Sequence, residues 1–302
     1  MIPVQFDYAA PESLEAAVKL LKENEKAQIL AGGHRLLVEM KLNRASPSLL
    51  VDLRKIQGLQ GVSLPREKDG VLQIGSMTSY AQTAAAPEVR ENYRALAEAV
   101  DSIGDAQIRN WGTIGDIFAY HDLACDLSAV ALALEATFNT IGSSSTRALG
   151  ADELLTGSFE TKLQPGEIVT SIDFPRYVSG TGSAYEKIKH PANGYTICGI
   201  AAKVWYSDGV VSQCRVAVTG AMASAMRLPQ VEAALSGKAP TAENIAAAAK
   251  FATESVPATE KHHEGLTTLL NRYASAEYRA HLCGVLAERA IARASEQAGF
   301  RA

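Results

Sequence analysis

The chain has 302 residues, 47% of them hydrophobic and 21% charged, the composition of a globular protein long enough for two domains. A formal net charge of −4 gives no electrostatic footprint for nucleic acid, and the absence of a basic amphipathic helix argues against a membrane surface. No apolar run reaches spanning length, and Met1–Tyr8 has neither a basic nor an apolar leader region, so the reading is cytoplasmic without membrane insertion.

Residues 11–22 read as an amphipathic helix with Leu14, Ala17, Val18 and Leu21 on one face. Gln28–Ala31 then reads as a short buried strand leading into Ala31-Gly32-Gly33-His34-Arg35-Leu36-Leu37. Glycine has no Cβ, so backbone N–H groups can approach a ligand closely there. The residues that follow open a helix, Leu36–Met40, whose N-terminus favours anions. Arg35 adds a cation. On pattern alone this stretch reads first as a glycine turn joining strand to helix and only second as a phosphate site, because two adjacent glycines are neither G-x-G-x-x-G nor a Walker loop. Leu49–Leu53 is the next predicted strand, completing a small α/β unit.

Further on, Val71–Gly75 is a predicted strand and Asn92–Ile103 a predicted helix, followed by a second glycine-centred stretch, Arg109-Asn110-Trp111-Gly112-Thr113-Ile114-Gly115-Asp116. Thr113 offers a hydroxyl and Gly115 a close-approach backbone. Asp122 and Asp126 follow as candidate acceptors for ribose or ring N–H groups, and Asp126 reads as readily as an N-cap for the buried helix predicted at Leu127–Leu134. His121 and the pair His262-His263 are given no catalytic role.

Pro165-Gly166-Glu167 marks a turn before the predicted strand Ile168–Phe174, and the Pro175–Gly182 stretch has the composition of a connection. Beyond it, Ala201–Tyr206 and Cys214–Thr219 alternate in strand fashion around a turn at Ser207-Asp208-Gly209, and an alanine-rich helical half begins at Leu228. Cys125, Cys198, Cys214 and Cys283 are scattered without a C-x-x-C pair, which predicts buried reduced thiols and no zinc or iron–sulfur site. No hydrolase constellation such as G-x-S-x-G or H-E-x-x-H is present, so any chemistry falls to a bound cofactor.

Across its whole length the sequence resembles the FAD-binding medium subunit of the molybdenum hydroxylases. That family carries approximately A-G-G-x-S-L-L followed by M-K, matched by Ala31–Leu37 with Met40-Lys41. It also carries R-N-x-G-T-I-G-G followed by A-x-x-D-P-x-x-D, matched by Arg109–Asp126. The resemblance implies an α+β fold: a two-subdomain FAD-binding domain of the vanillyl-alcohol-oxidase/PCMH type over 1–176, with subdomains of about 1–56 and 57–176. A C-terminal domain over 177–302 follows, with a three-stranded antiparallel sheet and a helical bundle.

By the same resemblance the FAD site comprises Ala31, Gly32, Gly33, His34, Arg35, Leu36, Thr113, Ile114, Gly115, Asp116, Ile117, Asp122, Asp126, Val169, Lys187 and Tyr195. The implied partners are a molybdopterin-binding large subunit and a [2Fe–2S] small subunit, assembled as a dimer of heterotrimers. Three positions depart from the pattern: Arg35 replaces a small polar residue, Asp116 the second glycine, and Leu123 a proline. Asp116 sets a carboxylate beside the expected diphosphate. It motivates the alternative of a family member with weakened or lost FAD binding, serving as a binding or non-redox biosynthetic protein.

Overall fold

The computed structural model describes residues 3–65, 70–120, 125–143, 145–157, 160–256 and 273–301. The N-terminal unit is a parallel three-stranded sheet of β1 (Asp7–Ala9), β2 (Ala27–Leu30) and β3 (Leu49–Asp52) in the order β1-β3-β2. Helices α1 (Leu14–Glu23) and α2 (Leu36–Lys41) connect its strands. Ser13 caps α1 by accepting from Ala16 N at 3.2 Å, and Ala17, Val18 and Leu21 face the core as the apolar spacing predicts. Every residue of the central strand β3 is buried, as parallel pairing on both edges demands. The strand stops one residue short of its predicted end because the Asp52 carboxylate accepts from Arg54 N at 2.9 Å, drawing the chain into a 3₁₀ turn.

A second sheet of order β4-β5-β10-β6-β7 contains β4 (Val62–Ser63), β5 (Leu72–Gly75), β6 (Thr137–Ile141), β7 (Thr146–Gly150) and β10 (Ile168–Phe174). The short hairpin β8 (Leu155–Gly157) and β9 (Glu160–Thr161) lies between β7 and β10 in sequence. Between β5 and β6 run α3 (Tyr80–Ala85), α4 (Pro87–Asn92), α5 (Arg94–Ser102), α6 (Ala106–Trp111), α7 (Ile114–Tyr120) and α8 (Asp126–Leu134), with α9 (Ala151–Leu154) after β7.

The predicted helix Asn92–Ile103 is broken at Tyr93, whose buried ring anchors the chain by donating its hydroxyl to Pro175 O at 2.9 Å. Helix α8 is buried along its entire length, and its core cluster continues into Tyr185, Ala201 and Ala217 of the third sheet.

That sheet is antiparallel, β11 (Thr181–Lys189), β12 (Thr196–Ser207), β13 (Val210–Thr219) and β14 (Met226–Arg227), so a two-residue fourth strand is added to the three expected. Asp208 and Gly209 both take positive φ, 52° and 84°, which closes the β12–β13 hairpin with the twist the strands require. Helices α10 (Pro229–Leu235), α11 (Ala242–Ser255) and α12 (Ala276–Gln297) complete this unit around a core rich in Ala and Val. All four cysteines are buried thiols without a disulfide, and Cys198 and Cys283 bring their sulfurs to 3.4 Å.

Candidate functional site

The end of β2 delivers the chain into the first glycine segment, where Gly33 adopts φ 77° and lets the backbone reverse into α2. Arg35 occupies the N-cap of α2 and gives no side-chain cap among the described residues, and in the first turn Leu37 N donates to Gly33 O at 3.1 Å.

The second segment differs from the open loop predicted. Residues 106–111 and 114–120 are helical, leaving only Gly112 and Thr113 as a joint. Ile114 N donates to Thr78 O at 3.0 Å and Gly115 N to Ser76 O at 2.8 Å, because this joint runs beside the 76–80 backbone. A Cβ on Gly115 would meet Ser76 Cβ at 2.6 Å, so the close approach that glycine permits here is made to protein. The two glycine segments also meet each other: a Cβ on Gly32 would collide with the Trp111 carbonyl and lie 3.0 Å from Gly112 Cα.

Two clefts flank this junction. One, of about 380 Å³, is lined by Ala31, Arg35, Leu36, Gly115, Asp116 and Val169 among others, bringing six of the predicted residues together on three separate elements. The other, of about 500 Å³, lies across Ala31 and Met77 and is walled by Thr113, Arg54 and the exposed indole of Trp111. Ser76 Oγ, at the first cleft, and Thr113 Oγ1, at the second, are buried and have no hydrogen-bond partner among the described residues. Such orphans are rare in a finished interior and suit a polar ligand.

The remaining predicted residues fall outside this grouping. Ile114 is fully buried core and Ile117 packs against it, whereas His34 is exposed at the rim. Asp122, with His121 and Leu123, lies outside the described residues, as do His262 and His263.

Asp126 neither caps α8, whose N-cap is Cys125, nor turns toward the cleft wall. Its carboxylate accepts from Tyr185 Oη at 2.5 Å, Thr196 Oγ1 at 2.6 Å and Lys187 Nζ at 3.0 Å, tying α8 to β11 and β12. The Lys187–Asp126 pair is buried, each side chain 7% exposed. Tyr185 and Thr196 were not legible as site residues, although Tyr185 and Lys187 share a face of one strand at the two-residue period. Tyr195 is half exposed at the β11–β12 turn.

Electrostatically the cleft is mixed. Burial pushes the Asp116 carboxyl above its ordinary value, against the downward pull of Arg35 and His34. The Arg35 guanidinium lies over the ring of Tyr120. On the opposite wall burial also works against Glu167, but bonds from Arg147, Gln164 N and Thr140 hold it down to about 2. Tyr80, which sequence reasoning missed, is buried with its phenol raised well above the usual range, chiefly by desolvation and then by Asp116, Cys125, Asp126 and Tyr195. No group of three or more His, Cys, Asp or Glu among the described residues could hold a metal ion.

Comparison with known proteins gives this geometry its context. Residues 4–177 match the family described as the FAD binding domain in molybdopterin dehydrogenase, and residues 183–294 match the CO dehydrogenase flavoprotein C-terminal domain. The carbon monoxide dehydrogenase medium chain of Hydrogenophaga pseudoflava is 35% identical over 292 residues, covering 96% of this chain and 97% of that one. The 6-hydroxypseudooxynicotine dehydrogenase complex subunit alpha of Paenarthrobacter nicotinovorans is 32% identical, covering 99% and 97%.

A solved structure of the H. pseudoflava carbon monoxide dehydrogenase, in a form lacking the molybdenum–pyranopterin moiety, superposes with a TM-score of 0.89 at 36% identity, covering 98% of this chain and 99% of that one. The chain belongs to the FAD-binding medium-subunit family of the molybdenum hydroxylases. FAD is that family's cofactor, and the residues present suit it: a cleft where both glycine segments and β10 meet, with an orphaned hydroxyl there and another at the neighbouring cleft.

Proposed function

We propose that this chain is the flavin-bearing terminus of a molybdenum hydroxylase, working with a molybdopterin-binding large subunit and a [2Fe–2S] small subunit in a dimer of heterotrimers in the cytoplasm. When bound, FAD supplies the electron chemistry, taking electrons from the iron–sulfur clusters and giving them to an external acceptor. The observation that carries the reading is the first cleft, where both glycine segments and β10 meet beside the orphaned Ser76 hydroxyl, with the orphaned Thr113 hydroxyl at the neighbouring cleft.

In this reading the chain's own residues bind and orient. Amides of Gly32, Gly33, His34 and Leu36 and the Arg35 guanidinium receive the diphosphate at the start of α2. Ser76 and Thr113 donate their hydroxyls. Ala31, Leu36 and Val169 give apolar walls that exclude water. Asp126, by locking Lys187, Tyr185 and Thr196, fixes the β11–β12 edge next to Tyr195 against the FAD-binding half. That half we take as residues 1–176, with subdomains meeting near residue 56, and the C-terminal domain as 177–302.

One observation favours the competing reading of a weakened or lost cofactor site: Asp116 lines the same cleft as the proposed diphosphate donors. The absorption spectrum of the purified chain, before and after incubation with FAD and desalting, decides between them. Retained flavin bands near 370 and 450 nm, at about one FAD per chain, are expected. A chain that takes up no flavin in any condition overturns the electron-transfer reading.

A further inference from the structure

We propose that FAD binds this chain with uptake of one proton at Asp116, so that cofactor retention depends on pH. The inference rests on the FAD reading above and concerns a residue where this chain departs from the glycine of its family. Asp116 stands in the first turn of α7 on the wall of the cleft that also holds Arg35 and Tyr120.

The amides just before it, Ile114 N and Gly115 N, are already committed to Thr78 O and Ser76 O. At those two positions the turn presents no free donor, while Asp116 presents a carboxylate. A diphosphate diester keeps two negative charges across the neutral range, and placing them beside an ionised carboxylate in a partly desolvated cleft is unfavourable.

Among the described residues, the charges around Asp116 leave little else to relieve that repulsion. His34 and Arg35 face it from the segment opening α2, and Arg35 also lies over Tyr120 of α7 itself. Glu39 and Arg44, on and just after α2, line the cleft as an ion pair at 3.8 Å. From α3 comes Tyr80, a neutral phenol, and from the turn before β10 comes Glu167, held ionised by Arg147. Arg35 and His34 are therefore the only counter-charges acting on Asp116 among these groups. Two further negative charges on the ligand favour the protonated carboxyl.

Burial already holds the Asp116 carboxyl above its ordinary value in the free chain, so less is needed to complete the protonation. The sign follows from linkage. Affinity is highest below the free-state value, falls by up to about tenfold per pH unit between the free and bound values, and levels off above the bound one.

The test is a titration of the apo chain with FAD between pH 5 and 8 at constant ionic strength, followed by quenching of flavin fluorescence. Wild type, Asp116→Asn, Asp116→Gly and His34→Gln are compared. The expected result is a dissociation constant that weakens with rising pH in wild type and His34→Gln, with both Asp116 variants tight and flat across the range. A flat wild type, a slope lost in His34→Gln, or binding seen only in the Asp116 variants overturns the proton linkage while FAD remains the cleft's ligand. If none of the four proteins binds FAD at any pH, the FAD reading itself falls.

Discussion

Asp126 shows how a single residue can carry an ambiguous sequence signal. Its spacing from Asp122 and its place before an apolar run admitted both a ligand acceptor and a helix cap, yet the structure gives its carboxylate to three side chains on β11 and β12. Nothing local to residues 120–130 encodes those partners, which lie 59 to 70 positions away. Replacing Asp126 by Asn leaves the Lys187 ammonium buried without its counter-charge, and a loss of about 3–5 kcal/mol in unfolding free energy is expected. Adding Lys187→Met should recover part of that loss in urea denaturation; a double variant that costs the sum of the Asp126→Asn and Lys187→Met single variants would show that the pair is not coupled.

Gly32 is the opposite case, a residue whose type was plainly visible and whose reason was not. The sequence suggested a ligand approaching its backbone, whereas the side chain it excludes would strike the Trp111 carbonyl. Gly32→Ala forces the two glycine segments apart, with an expected destabilisation of about 1–3 kcal/mol and loss of flavin retention in the desalting assay.

At the scale of elements, most of the regular structure could be read because each signal is local. Ser13 and the 14, 17, 18, 21 spacing mark α1, the Asp-Gly dipeptide marks the β12–β13 hairpin, and the run of small and apolar residues from Leu127 to Leu134 marks α8 as buried. Reading failed where a distant contact overrides local preference. Tyr93 breaks a helix in order to reach Pro175, and the second glycine stretch becomes a joint between helices because it runs beside residues 76–80.

The turn before β10 illustrates the same limit. Pro165-Gly166-Glu167 was legible as a turn, but not that Glu167 would bind Arg147 of β7 and Thr140 of β6. With its carboxyl lowered from 4.5 to about 2, Glu167 contributes stability that is present above its unfolded value and lost as pH falls toward about 2. Glu167→Gln should therefore cost roughly 2 kcal/mol at pH 7, and the gap to wild type should narrow between pH 4.5 and the acid limit. A gap that stays constant with pH would assign the loss to packing alone.

Over the whole molecule, the FAD-binding half and the C-terminal unit are joined by a shared core around α8 and by a charged clamp at its edge. Arg293 of α12 reaches Glu98 of α5 and Glu186 of β11, while Glu98 also accepts from Tyr185 N at 2.8 Å. Helix α12 can lie this close to β11 because Gly182 has no side chain to strike the Ala294 carbonyl. Burial raises the Glu98 carboxyl, and Arg293 and the Tyr185 amide pull it back down.

In Arg293→Met those two carboxylates face each other with no cation between them, so Glu98 rises further. A carboxyl whose folded value is raised favours the folded state only while protonated, so the variant's deficit is fully present above that value and disappears as pH falls below the unfolded one. Because Arg293 is partly exposed, the expected deficit is modest, roughly 1 kcal/mol at pH 8 and near zero at pH 4. Urea unfolding of both proteins at the two pH values measures it. A deficit as large at pH 4 as at pH 8 would mean that Arg293 joins the two units through its aliphatic stem, leaving the shared core around α8 as their main connection.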